Sequence, residues 1–234
     1  MTLARGAVTA GLGAAGALVA YAWLPHLLAP SFTRRGRSGA RTVALTFDDG
    51  PDPTWTPRVL EILAAHRARA TFFLIGQRAA AAPGIVRAMT AAGHEVGNHS
   101  WSHPSLWLCG PRRTYDEIAR AHDLIGELTT TPPRHFRPPW GMVNAAMWRA
   151  LRRLGERCVF WSIQPEGLRP RRGAEQATYV VARARPGDIV DLHDAEGVAD
   201  APKRLIEALP AMLDGLAEAG YRLTTVSEVL GAAA

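Results

Sequence analysis

Short apolar runs alternate along the chain with longer stretches whose apolar positions return every three or four residues. Runs at residues 42–47, 70–75, 94–97, 134–137, 158–163, 188–192 and 221–224 predict strands, most of them closing on Gly, Pro, Asp or Asn. The stretches 58–66, 84–92, 114–128, 144–154, 176–183 and 201–219 carry the period of amphipathic helices. Thr114 stands three residues before Glu117, the spacing of a capping box, and Asn144 stands where a helix cap is expected. Such repeated β–α alternation predicts an α/β fold with a parallel sheet, open or closed into a barrel. In that architecture chemistry gathers beyond the C-terminal ends of the strands.

The first thirty residues break the pattern. Residues 6–30 contain no Asp, Glu, Lys or Arg, and the run is about the length that spans a bilayer, roughly 20 residues. An uncleaved signal anchor is the first reading. A cleaved signal peptide is the second, because Ala20-Tyr21-Ala22 fits a small-residue cleavage site. A soluble helix packed on the domain is the third. Arg5 precedes the run, while Arg34, Arg35, Arg37 and Arg41 follow it, a bias that would retain the rest of the chain in the cytoplasm. Residues 31–40 are small, polar and basic and read as a linker, so the globular domain is expected over residues 41–234.

Composition narrows the class. With 47% hydrophobic and 21% charged residues over 234 positions, the chain suits one globular domain after its N-terminal segment. The net charge of +6 is scattered, with no aromatic-interleaved basic stripe and no zinc-finger spacing, so no nucleic-acid partner is expected. Two cysteines, Cys109 and Cys158, exclude a disulfide framework and read as buried free thiols.

Four polar motifs fall at the predicted strand ends. In Thr46-Phe47-Asp48-Asp49-Gly50-Pro51 a turn after the strand lets adjacent carboxylates serve one site, one as metal ligand and one as base. In His99-Ser100-Trp101-Ser102-His103-Pro104 two imidazoles four apart would share one face of a helical turn, a pairing suited to a divalent transition ion. In Arg137-Pro138-Pro139-Trp140-Gly141 an arginine able to grip a carboxylate precedes a rigid turn and an aromatic. In Asp191-Leu192-His193-Asp194 the carboxylate and imidazole lie two apart and point to one side of a strand, the arrangement of an oriented general acid.

Taken together and in this order, the motifs resemble those of the NodB-homology polysaccharide deacetylases, carbohydrate esterase family four, over roughly residues 41–230. The resemblance implies a distorted (β/α) barrel with fewer than eight strands. It implies one divalent ion, zinc or cobalt, on Asp49, His99 and His103; Asp48 as general base; Arg137 orienting that base; and His193 as general acid. The Trp140 N–H would stabilise an oxyanion, and Pro139, Trp140 and Leu192 would meet the substrate. The implied reaction is removal of N-acetyl groups from N-acetylglucosamine-type carbohydrate. An enzyme acting on such a wall polymer would face outward at the cell membrane, or be secreted, against the arginine bias.

One segment departs from the family. Where relatives carry Asp-x-x-Asp-Trp, this chain has Gln164, Gly167 and Leu168, so the usual carboxylate partners of the arginine and histidine are missing. Asp191 is the expected replacement beside His193, with Glu166 second. The same departure keeps two other readings in play: an amide hydrolase for lipid-linked or small amino sugars, and an inactive carbohydrate-binding protein.

Overall fold

The computed structural model describes residues 16, 19–25, 32–36, 40–166, 171–197 and 200–231. Seven strands are present among them: β1 (Thr42–Asp48), β2 (Thr71–Leu74), β3 (Glu95–Asn98), β4 (His135–Phe136), β5 (Arg157–Cys158), β6 (Ile189–His193) and β7 (Arg222–Thr224). The helices between and after them are α1 (Thr56–Ala65), α2 (Gly76–Ala81), α3 (Pro83–Ala91), α4 (Pro111–Thr129), α5 (Ala145–Leu154), α6 (Gly173–Arg183), α7 (Ala201–Glu218) and α8 (Val226–Val229). All pairings between the strands are parallel, in the order β5-β4-β3-β2-β1-β6, with β7 beside the first residues of β1.

Side-chain alternation sorts the layers. Val43, Leu45 and Phe47 of β1, Phe72 and Leu74 of β2, and Val190 and Leu192 of β6 share one buried cluster with Val59, Leu63, Leu205, Leu209 and Met212 of the helices. The alternate positions Ala44, Phe73 and Ile189 belong to a separate buried cluster. Thr46, Asp48 and Asp191 follow the same alternation, so polar groups and chemistry lie on the concave side of the sheet.

The sheet curls until its two edges meet. The run at 158–163, expected as one strand, is split: Val159 N–H donates to Phe136, whereas Ser162 and Ile163 donate to Ile189, and Ile163 bridges Val190. The chain thus passes from β4 to β6 within a few residues and draws the edges together. The gap below is filled by part of the stretch expected as a linker. Thr33 bridges Val159, Arg35 bridges Asp188, and Phe32 packs edge-on to Phe160 at 4.5 Å. A distorted (β/α) barrel, as expected, is the result.

Other local expectations change. α4 begins at Pro111, three residues early, because Pro fits the first helical position. Thr114 is therefore inside the helix and makes no capping box; its hydroxyl donates to Cys109 and accepts from Asn144, while Glu117 turns to Ser102. Asn144 does cap α5, accepting from Met147 N–H at 3.0 Å. Helices α2 and α8 add to the expected set; each is a turn or so long, too short to show a period. Both cysteines are free and buried. Most of residues 1–30 lie outside the described residues. Within 19–25, the Tyr21 hydroxyl donates to the Cys109 carbonyl at 2.8 Å. No helix among the described residues is long and apolar enough to cross a membrane.

Candidate active site

The four motifs converge on one cavity of about 210 Å³ at the C-terminal ends of the strands, lined by Asp48, Asp49, His99, His103, Trp140, Trp161 and others. Register explains half of it. Asp48 of β1 is the lateral partner of His193 in β6, and Thr46 that of Asp191, so these side chains stand side by side. Asp49 leaves the strand in a left-handed conformation (φ 71°), which swings its carboxylate away from that of Asp48.

Asp49, His99 and His103 meet. Asp49 Oδ1 lies 3.2 Å from His103 Nε2 and 3.5 Å from His99 Nε2, is buried, and makes no well-formed hydrogen bond. The ligand-type atoms of all three lie within 4.8 Å of one another. His99 Nδ1 donates to the Arg137 carbonyl at 2.7 Å, which aims Nε2 at the cluster. Burial would lower the His99 pKa, but Asp48 and Asp49 raise it, and a metal ion on Nε2 would displace any proton there. Burial alone would raise the Asp49 pKa, but His99, with His103 and His193, holds it at about 2. Burial and the nearby His99 lower His103 to about 4. Asp49 is thus a carboxylate and His103 a neutral imidazole, the forms that ligate metal. The trio fits a metal ion.

The histidines do not sit on a helical turn. They flank an irregular loop in which Ser100 (φ 67°) and His103 (φ 57°) are both left-handed, and these two reversals aim the rings at one point.

Arg137 occupies the centre of the concave side with 0% exposure. Its NH1 group donates to Thr46 Oγ1 (2.7 Å), Asp48 Oδ1 (2.7 Å) and Asp191 Oδ1 (3.0 Å), and NH2 donates to the Phe160 carbonyl. Asp48, Asp191 and His193 could also be read as a second ion-binding group. The guanidinium already supplies its positive charge, so no further cation is needed there.

Asp191 is not the hydrogen-bond partner of His193. Its carboxylate is taken by Arg137 and by the Gln164 amide at 3.1 Å. Glu166 fills that place, with Oε2 2.5 Å from His193 Nδ1. Burial would lower the His193 pKa, yet the Glu166 hydrogen bond, with the charges of Asp191, Glu166 and Asp48, pushes it up to about 10. Burial and the neighbouring Asp48 push Asp191 above the usual carboxylate range.

Two expected substrate contacts shift by one position. Leu192 is packed in the helix-side core, because Asp191 and His193 take the inward positions. Pro138, not Pro139, lines the cavity, although both are buried. Trp140 does stand at the mouth, 60% exposed, its ring 5.0 Å from that of His103.

Four contributors lie outside the four motifs. Trp161 and Gln164 line the cavity from the irregular segment after β5, and Gly197 lies where a Cβ would overlap Asp49 Oδ2. Arg78 of α2 ties the two loops together, donating to the carbonyls of Asp49 and Glu196. Each acts through long-range contacts that leave no local spacing to read.

The sequence pattern of the family described as Polysaccharide deacetylase matches residues 35–159. A chitooligosaccharide deacetylase from Bradyrhizobium sp. is 39% identical over 197 residues, covering 80% of this chain and 89% of the relative. A peptidoglycan-N-acetylglucosamine deacetylase from Bacillus cereus is 36% identical, covering 81% and 88%. Among solved structures, a peptidoglycan N-acetylglucosamine deacetylase superimposes with a TM-score of 0.80 at 28% identity, covering 86% of this chain and 94% of the other. A pseudoenzyme of carbohydrate esterase family 4 from Bacillus anthracis superimposes at 0.77 with 27% identity, covering 87% and 70%. The convergence of a metal-fitting triad, a carboxylate and a histidine on this barrel agrees with these likenesses, and the chain belongs to the polysaccharide deacetylase family.

Proposed function

We propose that the chain removes N-acetyl groups from an N-acetylglucosamine-type glycan, peptidoglycan or a chitin-like oligomer, with zinc or cobalt held by Asp49, His99 and His103. The observation that carries the proposal is the side-by-side placement of Asp48 and His193 in register on β1 and β6, in the same cavity as the triad. A pseudoenzyme shares the fold, so the reading rests on these side chains and not on the likeness of fold.

Asp49, His99 and His103 would hold a divalent ion, which would supply Lewis-acid polarisation of the acetamide carbonyl and acidify the attacking water. Asp48 Oδ1 is committed to Arg137, which leaves Oδ2 to take the proton of the attacking water. The Trp140 N–H is assigned to the oxyanion. As the carbon–nitrogen bond breaks, His193 gives a proton from Nε2 to the departing amine, while Glu166 on Nδ1 fixes the ring. The products are acetate and a free amino sugar. Neutral pH lies below the His193 pKa, so the acid is in its protonated form when needed.

The domain is proposed to act outside the cytoplasm, attached or released through residues 6–30, which the uncharged run supports. Leu168, where relatives carry Trp, favours a second reading in which the sugar is small or lipid-linked. Parallel incubation with N-acetylglucosamine oligomers, peptidoglycan fragments and lipid-linked N-acetylglucosamine, followed by mass spectrometry, separates them. Loss of acetyl from the polymers supports the first reading, and loss confined to the lipid-linked sugar overturns it in favour of the second.

A further inference from the structure

The loop that carries His99 and His103 is held from outside by α4. Its two left-handed residues are Ser100 and His103, a backbone that persists only where its surroundings fix it. Ser102, between the two histidines, gives both of its donors to one side chain: its N–H lies 2.8 Å from Glu117 Oε2 and its hydroxyl 2.7 Å from Glu117 Oε1. Glu117 is buried. Three residues further along the same helix, the Arg120 guanidinium lies 3.8 Å from the centre of the Trp101 ring. At the start of the loop, Asn98 accepts from Ser100 N–H at 2.9 Å and donates to the Ile118 carbonyl and to Glu156 Oε1. His103 N–H closes the loop on Ser100 Oγ at 3.1 Å.

We infer that Glu117 is a positioning residue for the metal site: its carboxylate clamps Ser102 and thereby sets the angle between the His99 and His103 rings. The inference rests on the metal-site reading above. A carboxylate suits this task because both of its oxygens accept, one for each Ser102 donor. An amide of the same shape accepts through one oxygen only and presents an NH₂ group to the other donor, so the clamp opens on one side. Outer partners of metal ligands typically contribute 10–100-fold to metal affinity.

The test uses the full chain, Co²⁺ as the probe, a competing chromophoric chelator for affinity, and the visible ligand-field spectrum for geometry. Glu117→Gln is expected to weaken Co²⁺ binding about 10–100-fold and to move the visible bands. Glu127→Gln, on the exposed side of the same helix, is expected to leave both as in the parent. Ser102→Ala keeps the backbone donor and loses the hydroxyl, so it should shift both readouts in the same direction by less. In the double variant the loss should stay close to that of Glu117→Gln alone, because the two groups act through one contact. Parent-like affinity and bands in a folded Glu117→Gln chain overturn the inference. If that variant does not fold, parent-like values for Ser102→Ala overturn it instead. Because metal binding is read without acetate release, a chain that binds Co²⁺ but deacetylates nothing still distinguishes a clamped loop from an indifferent one.

Discussion

A single hydrogen bond decides which carboxylate tunes the acid. His193 is bound to Glu166 at 2.5 Å, and its pKa stands near 10. A group whose folded pKa lies above its unfolded value loses activity as an acid, and loses its stabilising contribution, as pH rises through the folded value. Glu166→Gln removes the largest raising influence, so the alkaline limb of kcat/KM should move to lower pH, and urea stability should fall less between pH 6.5 and 10 than in the parent. Asp191→Asn should move that limb less, because Asp191 acts on His193 through charge alone while its hydrogen bonds go to Arg137 and Gln164. A larger shift for Asp191→Asn would reverse the two roles. Arg137→Ala should destabilise the fold by about 3–5 kcal/mol in chemical denaturation, since it strands two buried carboxylates. At this scale Asp48, Asp49, His99, His103, Arg137 and His193 were legible, because each sits in a short polar motif closing a predicted strand. The pairing of Glu166 with His193 was legible only as a second choice behind Asp191. It joins residues 27 apart across an irregular segment, where no periodicity fixes the direction of a side chain.

At the scale of elements, the loops do as much as the strands. Gly197 packs against Asp49 with no room for a Cβ. Gly197→Ala should therefore push either the loop or the Asp49 carboxylate aside and weaken metal binding by about tenfold or more, measured by chelator competition. Undiminished affinity would show that the loop yields freely. The Phe32–Arg35 stretch should contribute to stability although its composition reads as a linker. Arg35→Ala removes the pair with the buried Asp188 and should cost about 1–2 kcal/mol in urea unfolding, the scale of a hydrogen bond to a charged group at a partly exposed site. The sequence missed this piece because one aromatic among polar and basic residues shows no strand period, while its ordering comes from two backbone bridges to residues beside β5 and β6. It likewise placed His99 and His103 on a helical turn, since spacing alone cannot distinguish a helix from two left-handed residues that bring the rings together.

For the whole molecule, the alternation of strand and helix patterns was enough to foresee a parallel α/β sheet, open or closed, and the barrel was implied by the family resemblance. How it closes was not readable from the pattern, because the contact between Ile163 and Val190 depends on a crossing from one edge of the sheet to the other inside six residues. Closure matters to function: β6, with Asp191 and His193, already pairs with β1, and the curl brings Arg137, at the end of β4, within reach of Asp48 and Asp191. The measurement that bears most directly on the central claim is acetate release by the full chain from N-acetylglucosamine oligomers, after metal stripping and after re-addition of zinc or cobalt, with Asp48→Asn alongside. The account predicts release that vanishes on stripping, returns with the ion, and drops by at least about a hundredfold in Asp48→Asn, as expected for a lost general base. Release that is indifferent to metal and to Asp48, or metal binding with no release from any acetylated sugar, would contradict it.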